Sequence, residues 1–137
     1  MRLDHIGIAV NELNTIDELY ARLLGRDAYK RETVADQGVA ISFFKAAAED
    51  AKLEFVAPHG AYGPINKFLD RVGPGLHHMA FSVDDIHAEM QRLVADGFEL
   101  LQETPTKGAD NKLVCFLHPK STGGVLVEIC QSIPTDE

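Results

Sequence analysis

The chain has no apolar run approaching 18 residues, so it offers no membrane-spanning helix. It has no surplus of positive charge either. Thirteen Lys and Arg stand against 21 Asp and Glu, a net charge of −8. That balance argues against non-specific nucleic-acid binding, which needs a basic face, while leaving room for a local cationic patch facing an anionic ligand. Cysteine is scarce. Cys115 and Cys130 lie in strand-like runs without C-x-x-C spacing, so buried reduced thiols are expected and an all-cysteine zinc site is not. The opening Met1-Arg2-Leu3-Asp4 has no apolar signal core and no Arg- and Ser-rich transit segment, which makes a cytoplasmic location the expectation.

What the chain does have is an internal repeat. Leu3-Asp4-His5-Ile6-Gly7-Ile8-Ala9-Val10 returns as Leu76-His77-His78-Met79-Ala80-Phe81-Ser82-Val83, and Leu53-Glu54-Phe55 returns as Val127-Glu128-Ile129. His5 and His78 stand 73 residues apart, Glu54 and Glu128 74. With 137 residues, 45% of them hydrophobic, the whole is expected to form one domain. The expected division is a first module over 1–58, a linker and helix over 59–74, and a second module over 75–131.

Periodicity fills in the modules. Strands are expected at 3–10, 26–33, 39–45 and 52–56, with a helix over 15–24 capped by Asn14 or Thr15 and ended by Gly25. A helix over 65–72 follows a Gly- and Pro-rich linker. The second half repeats the order: strand 76–83, helix 86–96 with Ile86, Met90, Leu93 and Val94 inward, then strands 98–103, 112–118 and 125–130. Each half is thus βαβββ, an α+β pattern repeated twice.

Side-chain alternation sorts the candidate residues. His5, Gly7 and Ala9 share one strand face, and Ile6, Ile8 and Val10 the other. The first face is small apart from its imidazole, which suits a cavity wall. By the same parity His78, and not His77, corresponds to His5, while Glu54 and Glu128 each interrupt an apolar strand on the inner face. An unpaired carboxylate is costly there, and metal coordination would resolve it. Taken singly, an inward His is more often a hydrogen-bonded core residue and a strand Glu an edge residue. Matched offsets and matched parity are what join the four. Two imidazoles and two carboxylates suit one six-coordinate divalent metal ion with two positions left open.

The motifs carrying these residues resemble the vicinal oxygen chelate family, the glyoxalase/bleomycin-resistance/dioxygenase superfamily, and within it the methylmalonyl-CoA epimerases. They are His5-Ile-Gly-Ile-Ala-Val, Leu53-Glu54-Phe-Val-Ala-Pro58, Pro64-Ile-Asn-Lys-Phe68, Gly75-Leu-His-His78-Met-Ala and Phe116-Leu-His-Pro-Lys-Ser-Thr-Gly-Gly-Val-Leu-Val-Glu128. The resemblance implies two paired βαβββ modules forming a curved eight-stranded mixed sheet around a metal-containing cleft, helices outside. It implies His5, Glu54, His78 and Glu128 as ligands of one divalent ion, Co²⁺ first, with Mn²⁺, Ni²⁺, Fe²⁺ or Zn²⁺ as alternatives. It implies proton abstraction from C2 of an acyl-CoA and return to the opposite face, with a homodimer as the common assembly.

Glu128 is the first choice as one acid/base. For the second, some related epimerases carry a glutamate after Gly-Val-Val. Here Gly38-Val39-Ala40 leads to Ile41, which exchanges no proton, and this leaves Glu54 or a metal-bound water. Lys120, Ser121 and Thr122, in a glycine-rich turn, are the candidate contacts for the CoA moiety or the acyl carboxylate. Competing readings within the fold are a glyoxalase-type lyase acting on a glutathione hemithioacetal and an iron(II) extradiol dioxygenase. A metal-free small-molecule-binding protein is the reading from another functional class.

Overall fold

The computed structural model describes residues 1–134. Its elements run β1 (Arg2–Ala9), α1 (Asn14–Leu24), β2 (Lys30–Val34), β3 (Val39–Phe44), β4 (Lys52–Pro58), α2 (Pro64–Arg71), β5 (Gly75–Ser82), α3 (Ile86–Ala95), β6 (Thr106–Gly108), β7 (Lys112–Leu117) and β8 (Val127–Ser132). The βαβββ order is present twice. No helix among the described residues is long and apolar enough to cross a membrane.

The chain divides into two compact units, one of His5–His77 and one joining Met1–Asp4 to His78 and the residues after it. The division falls inside β1 and β5. An ion pair explains the company of the first four residues. Lys112 Nζ on β7 lies 2.8 Å from Asp4 Oδ1, both side chains nearly buried.

In the unit His5–His77 the strand order is β2-β3-β4-β1. β1 runs parallel to β4 and the other pairs are antiparallel, with Gly7 opposite Glu54 and Phe43 opposite Glu54 from the other side. One face of this sheet is covered by α1. Val10, Leu13, Phe44, Phe55 and Ala57 are buried there, with Ile16, Tyr20 and Leu24 of the helix packed on them. Tyr20 and Phe55 have ring centroids 4.4 Å apart, and Phe44 meets Phe55 edge-on at 5.7 Å. Gly25 ends α1 in the left-handed region at φ 69°, which a glycine adopts without penalty. The helix starts differently from the sequence expectation. Neither Asn14 nor Thr15 caps it; the Glu12 carboxylate accepts from the Thr15 N–H at 3.1 and 3.2 Å.

In the other unit the order is β5-β8-β7-β6, with β5 parallel to β8. Ile86, Met90 and Leu93 of α3 pack on Cys115, Leu117 and Ile129. Asp85 caps α3 as expected, accepting from Ala88 N–H at 3.1 Å. Val94, expected inward, is 57% exposed instead. The strand expected at 98–103 is also displaced. Leu101 donates to the Phe116 carbonyl, but the next acceptor is a side chain: Gln102 Oε1 takes the Phe116 N–H at 2.7 Å. That substitution breaks the ladder, and after Pro105 the chain pairs with β7 again as β6 over Thr106–Gly108.

Candidate functional site

Burial and register place the four singled-out residues as two pairs. In His5–His77, β1 presents His5 on the face away from α1, together with the buried Gly7 and Ala9. β4 presents Glu54 on the same face, since Gly7 and Glu54 are register partners in a parallel pair. His5 Nδ1 and Glu54 Oε2 are 3.0 Å apart, with both side chains 5% exposed. In the other unit, β5 presents His78 and β8 presents Glu128, and Ala80 pairs with Glu128. His78 Nε2 and Glu128 Oε1 are 3.9 Å apart and again buried.

Each carboxylate has an aromatic neighbour that sequence reasoning passed over. Phe43 stands opposite Glu54 and Phe116 opposite Glu128. His78 and Phe116 meet nearly edge-on at 6.1 Å. The signal was present, because Phe43 and Phe116 are separated by the same 73 residues as the two histidines. An apolar ring beside each carboxylate keeps water from it and strengthens whatever charge it faces.

The neighbour His77 behaves as its parity requires. Its ring lies edge-on to Phe68 of α2 at 4.8 Å, and burial lowers its imidazole below the ordinary histidine value. Ile41 is buried on β3 with Val56 beside it.

The turn after β7 is built from its own side chains. His118 Nδ1 accepts from the Lys120 N–H at 3.1 Å, opening a short 3₁₀ turn over Pro119–Ser121. Ser121 Oγ donates to the His118 carbonyl at 2.9 Å, and Thr122 Oγ1 donates to the Pro119 and Val125 carbonyls. Lys120 points outward, 2.9 Å from Glu99, with its side chain 68% exposed. Its hydrogen bond holds the Glu99 carboxyl below the ordinary range.

Both cysteines are free and buried. Cys115 faces the α3 side and Cys130 the side of Ala80 and Val114, so the two thiols look in opposite directions.

Residues 4–116 match the sequence profile of the glyoxalase/bleomycin resistance protein/dioxygenase superfamily. The chain is 39% identical over 130 residues to an uncharacterized protein YqjC of Bacillus subtilis, covering 95% of this chain and 91% of that one. A crystal structure of methylmalonyl-CoA epimerase from Mycobacterium tuberculosis is similar at a TM-score of 0.91 and 37% identity, over 97% of this chain and 89% of that one. A methylmalonyl-CoA epimerase solved in complex with methylmalonyl-CoA and NH4+ is similar at 0.87 and 30%, over 99% and 97% of the two chains.

Proposed function

We infer the activity from one premise: this chain belongs to the glyoxalase/bleomycin resistance protein/dioxygenase superfamily. Its reaction is the interconversion of the two C2 epimers of methylmalonyl-CoA, the substrate named for relatives that cover nearly all of the chain. The observation that carries this reading is the duplicated buried His–Glu pair, His5 with Glu54 and His78 with Glu128.

His5, Glu54, His78 and Glu128 are the residues that would hold one divalent ion. Mixed imidazole and carboxylate donors suit first-row metals, Co²⁺ first and Mn²⁺, Ni²⁺, Fe²⁺ or Zn²⁺ after it. When bound, the ion supplies positive charge where the thioester oxygen of the substrate becomes negative. Proton movement belongs to the chain's own residues. Glu128 takes the C2 proton from one face. The C–H electron pair moves into the C1–C2 bond, and the carbonyl π pair moves onto oxygen. A proton delivered to C2 from the opposite face, as those electrons return, completes the inversion. Under the repeat, Glu54 is the counterpart of Glu128, and the sequence pattern alone makes it the candidate for that second group. Lys120 offers a point charge to the CoA phosphates or the acyl carboxylate. Ser121 and Thr122 shape the turn that presents it. A homodimer is the assembly that the family resemblance implies, and light scattering reads it directly.

The test joins metal analysis to a hydrogen-exchange assay. Purified protein is expected to carry a first-row metal and to wash deuterium from heavy water into C2 of methylmalonyl-CoA. Chelation should stop the exchange, and Co²⁺, Mn²⁺ or Ni²⁺ should restore it. A metal-free protein that ignores chelator and exchanges nothing would overturn this reading in favour of a binding protein of the same fold.

A further inference from the structure

The face that carries His5 also holds a carboxylate to which the site above gives no role. Contacts with α1 settle which way the strands look. Arg31 of β2 and Ser42 of β3 both reach Asp17 of the helix, at 2.8 and 3.0 Å, so residues of their parity face α1. Residues of the other parity face away, and Glu32 is one of them. Register then runs straight across the sheet. Glu32 stands opposite Ile41, Ile41 opposite Val56, and Val56 opposite Ala9. Glu54 lies two residues along β4 from Val56. Glu32 and Glu54 are the two carboxylates that the described strands place on this face, two strand spacings across the sheet and two residues along it, about 12 Å apart.

Their settings differ. Glu54 is held by His5 at 3.0 Å in full burial. Glu32 is half-buried, 3.3 Å from Lys30, and Lys30 is itself seated over the Phe43 ring at 4.7 Å from its centroid. Glu32 therefore has a fixed neighbour, some contact with solvent to exchange its proton, and no part in the proposed ligand set. The other half has no such residue. Val114 takes the cross-strand place of Ile41, and Thr106 stands opposite it.

Resting on the epimerase reading above, we propose that Glu32, and not Glu54, exchanges the proton with C2 of the acyl-CoA on the face opposite Glu128, directly or through one water. In one direction the Glu32 carboxylate takes the C2 proton as the C–H pair moves toward the thioester carbonyl. Protonated Glu128 then delivers its own proton to the other face as those electrons return. The reverse direction exchanges the two roles, and solvent resets both groups. Ile41 supplies an apolar wall beside this path, and Glu54 stays a ligand.

Each epimer, incubated separately in heavy water with metal-loaded protein, reads the proposal. Glu32→Gln is expected to lower epimerisation by about 10²–10⁴-fold, the usual contribution of a positioned acid/base, with metal content equal to wild type. The epimer whose hydrogen faces Glu128 should still take up deuterium without inverting, and the other should take up none. Glu32→Asp should fall between Gln and wild type. Thr33→Ala, one residue along on the α1 side, should leave both rates unchanged. Near-wild-type epimerisation in Glu32→Gln overturns the proposal. So does loss of exchange from both epimers together, and so does loss of metal, which marks a structural role. A wild-type protein that neither epimerises nor exchanges sinks the epimerase reading and this proposal with it; active wild type beside an indifferent Glu32→Gln sinks Glu32 alone.

Discussion

The two halves repeat one plan with different materials. On the helix side, His5–His77 stacks aromatic rings, Tyr20, Phe44 and Phe55, and sets a polar group among them: Ser42, fully buried on β3, donates to Asp17 at 3.0 Å. The other half is mostly aliphatic there, with Phe98 packed against its edge, and Cys115 occupies the position on β7 that Ser42 occupies on β3. On the opposite side the order of tightness matters. His5 and Glu54 approach to 3.0 Å, whereas His78 and Glu128 stay 3.9 Å apart. The repeat therefore keeps the residue types while the spacing within each pair differs.

That contrast is broken or sharpened most strongly at the glutamates. Glu128→Gln should lower epimerisation by about 10²–10⁴-fold while part of the metal stays bound. Glu54→Gln should weaken metal binding first, with turnover recovering as metal is added back. Equal, metal-independent losses in both variants would show that the halves share the proton work after all. The histidines come next. His5→Ala and His78→Ala should each cut metal affinity by more than the roughly 10–100-fold attached to outer-shell partners, and metal content after gel filtration reads this without any substrate. Full occupancy in either variant removes that residue from the ligand set.

The two buried His–Glu pairs were legible in sequence because they are written twice. One histidine in a strand says little; His5 and His78 at a fixed offset, each on the small-residue face, say much more. Strand parity also carried through, since Glu54 and Glu128 lie on the sides that alternation assigned to them. Other features were not legible because they depend on side chains replacing backbone partners. Gln102 takes a ladder bond from β7 and moves the expected strand at 98–103 to Thr106–Gly108. Glu12 caps α1 from outside the helix, where the local pattern favoured Asn14 or Thr15. Glu32 was hidden for another reason. The edge strand β2 is short, and its facing is read from the Asp17 contacts of Arg31 and Ser42 and from its register with β3.

The cores should separate the halves as well. Phe55→Ala removes a ring that touches both Tyr20 and Phe44, and is expected to cost about 3–5 kcal/mol. Ile129→Ala in the aliphatic cluster should cost about 2–5 kcal/mol. Urea midpoints give both values, and a larger loss at Ile129 would reverse the ranking of the two cores. Ser42→Ala comes below these, at about 1–3 kcal/mol, because it strips a donor from Asp17, whose Oδ1 is already buried without a hydrogen-bond partner.

The smallest effect is the most specific to one half. Burial raises the Cys115 thiol above its ordinary value of 9.0. The folded protein thus keeps the Cys115 proton at a pH where the unfolded chain has given it up. Stability from this source is intact below about pH 9 and is lost as pH rises from there toward the folded value, because the unfolded state then binds fewer protons. Ser42, the counterpart on β3, has a hydroxyl that does not titrate in this range. Urea midpoints for wild type and Cys115→Ala, compared at about pH 8 and about pH 10, should differ in slope, with wild type falling more steeply. Parallel slopes would mean that the thiol reaches water in the native state.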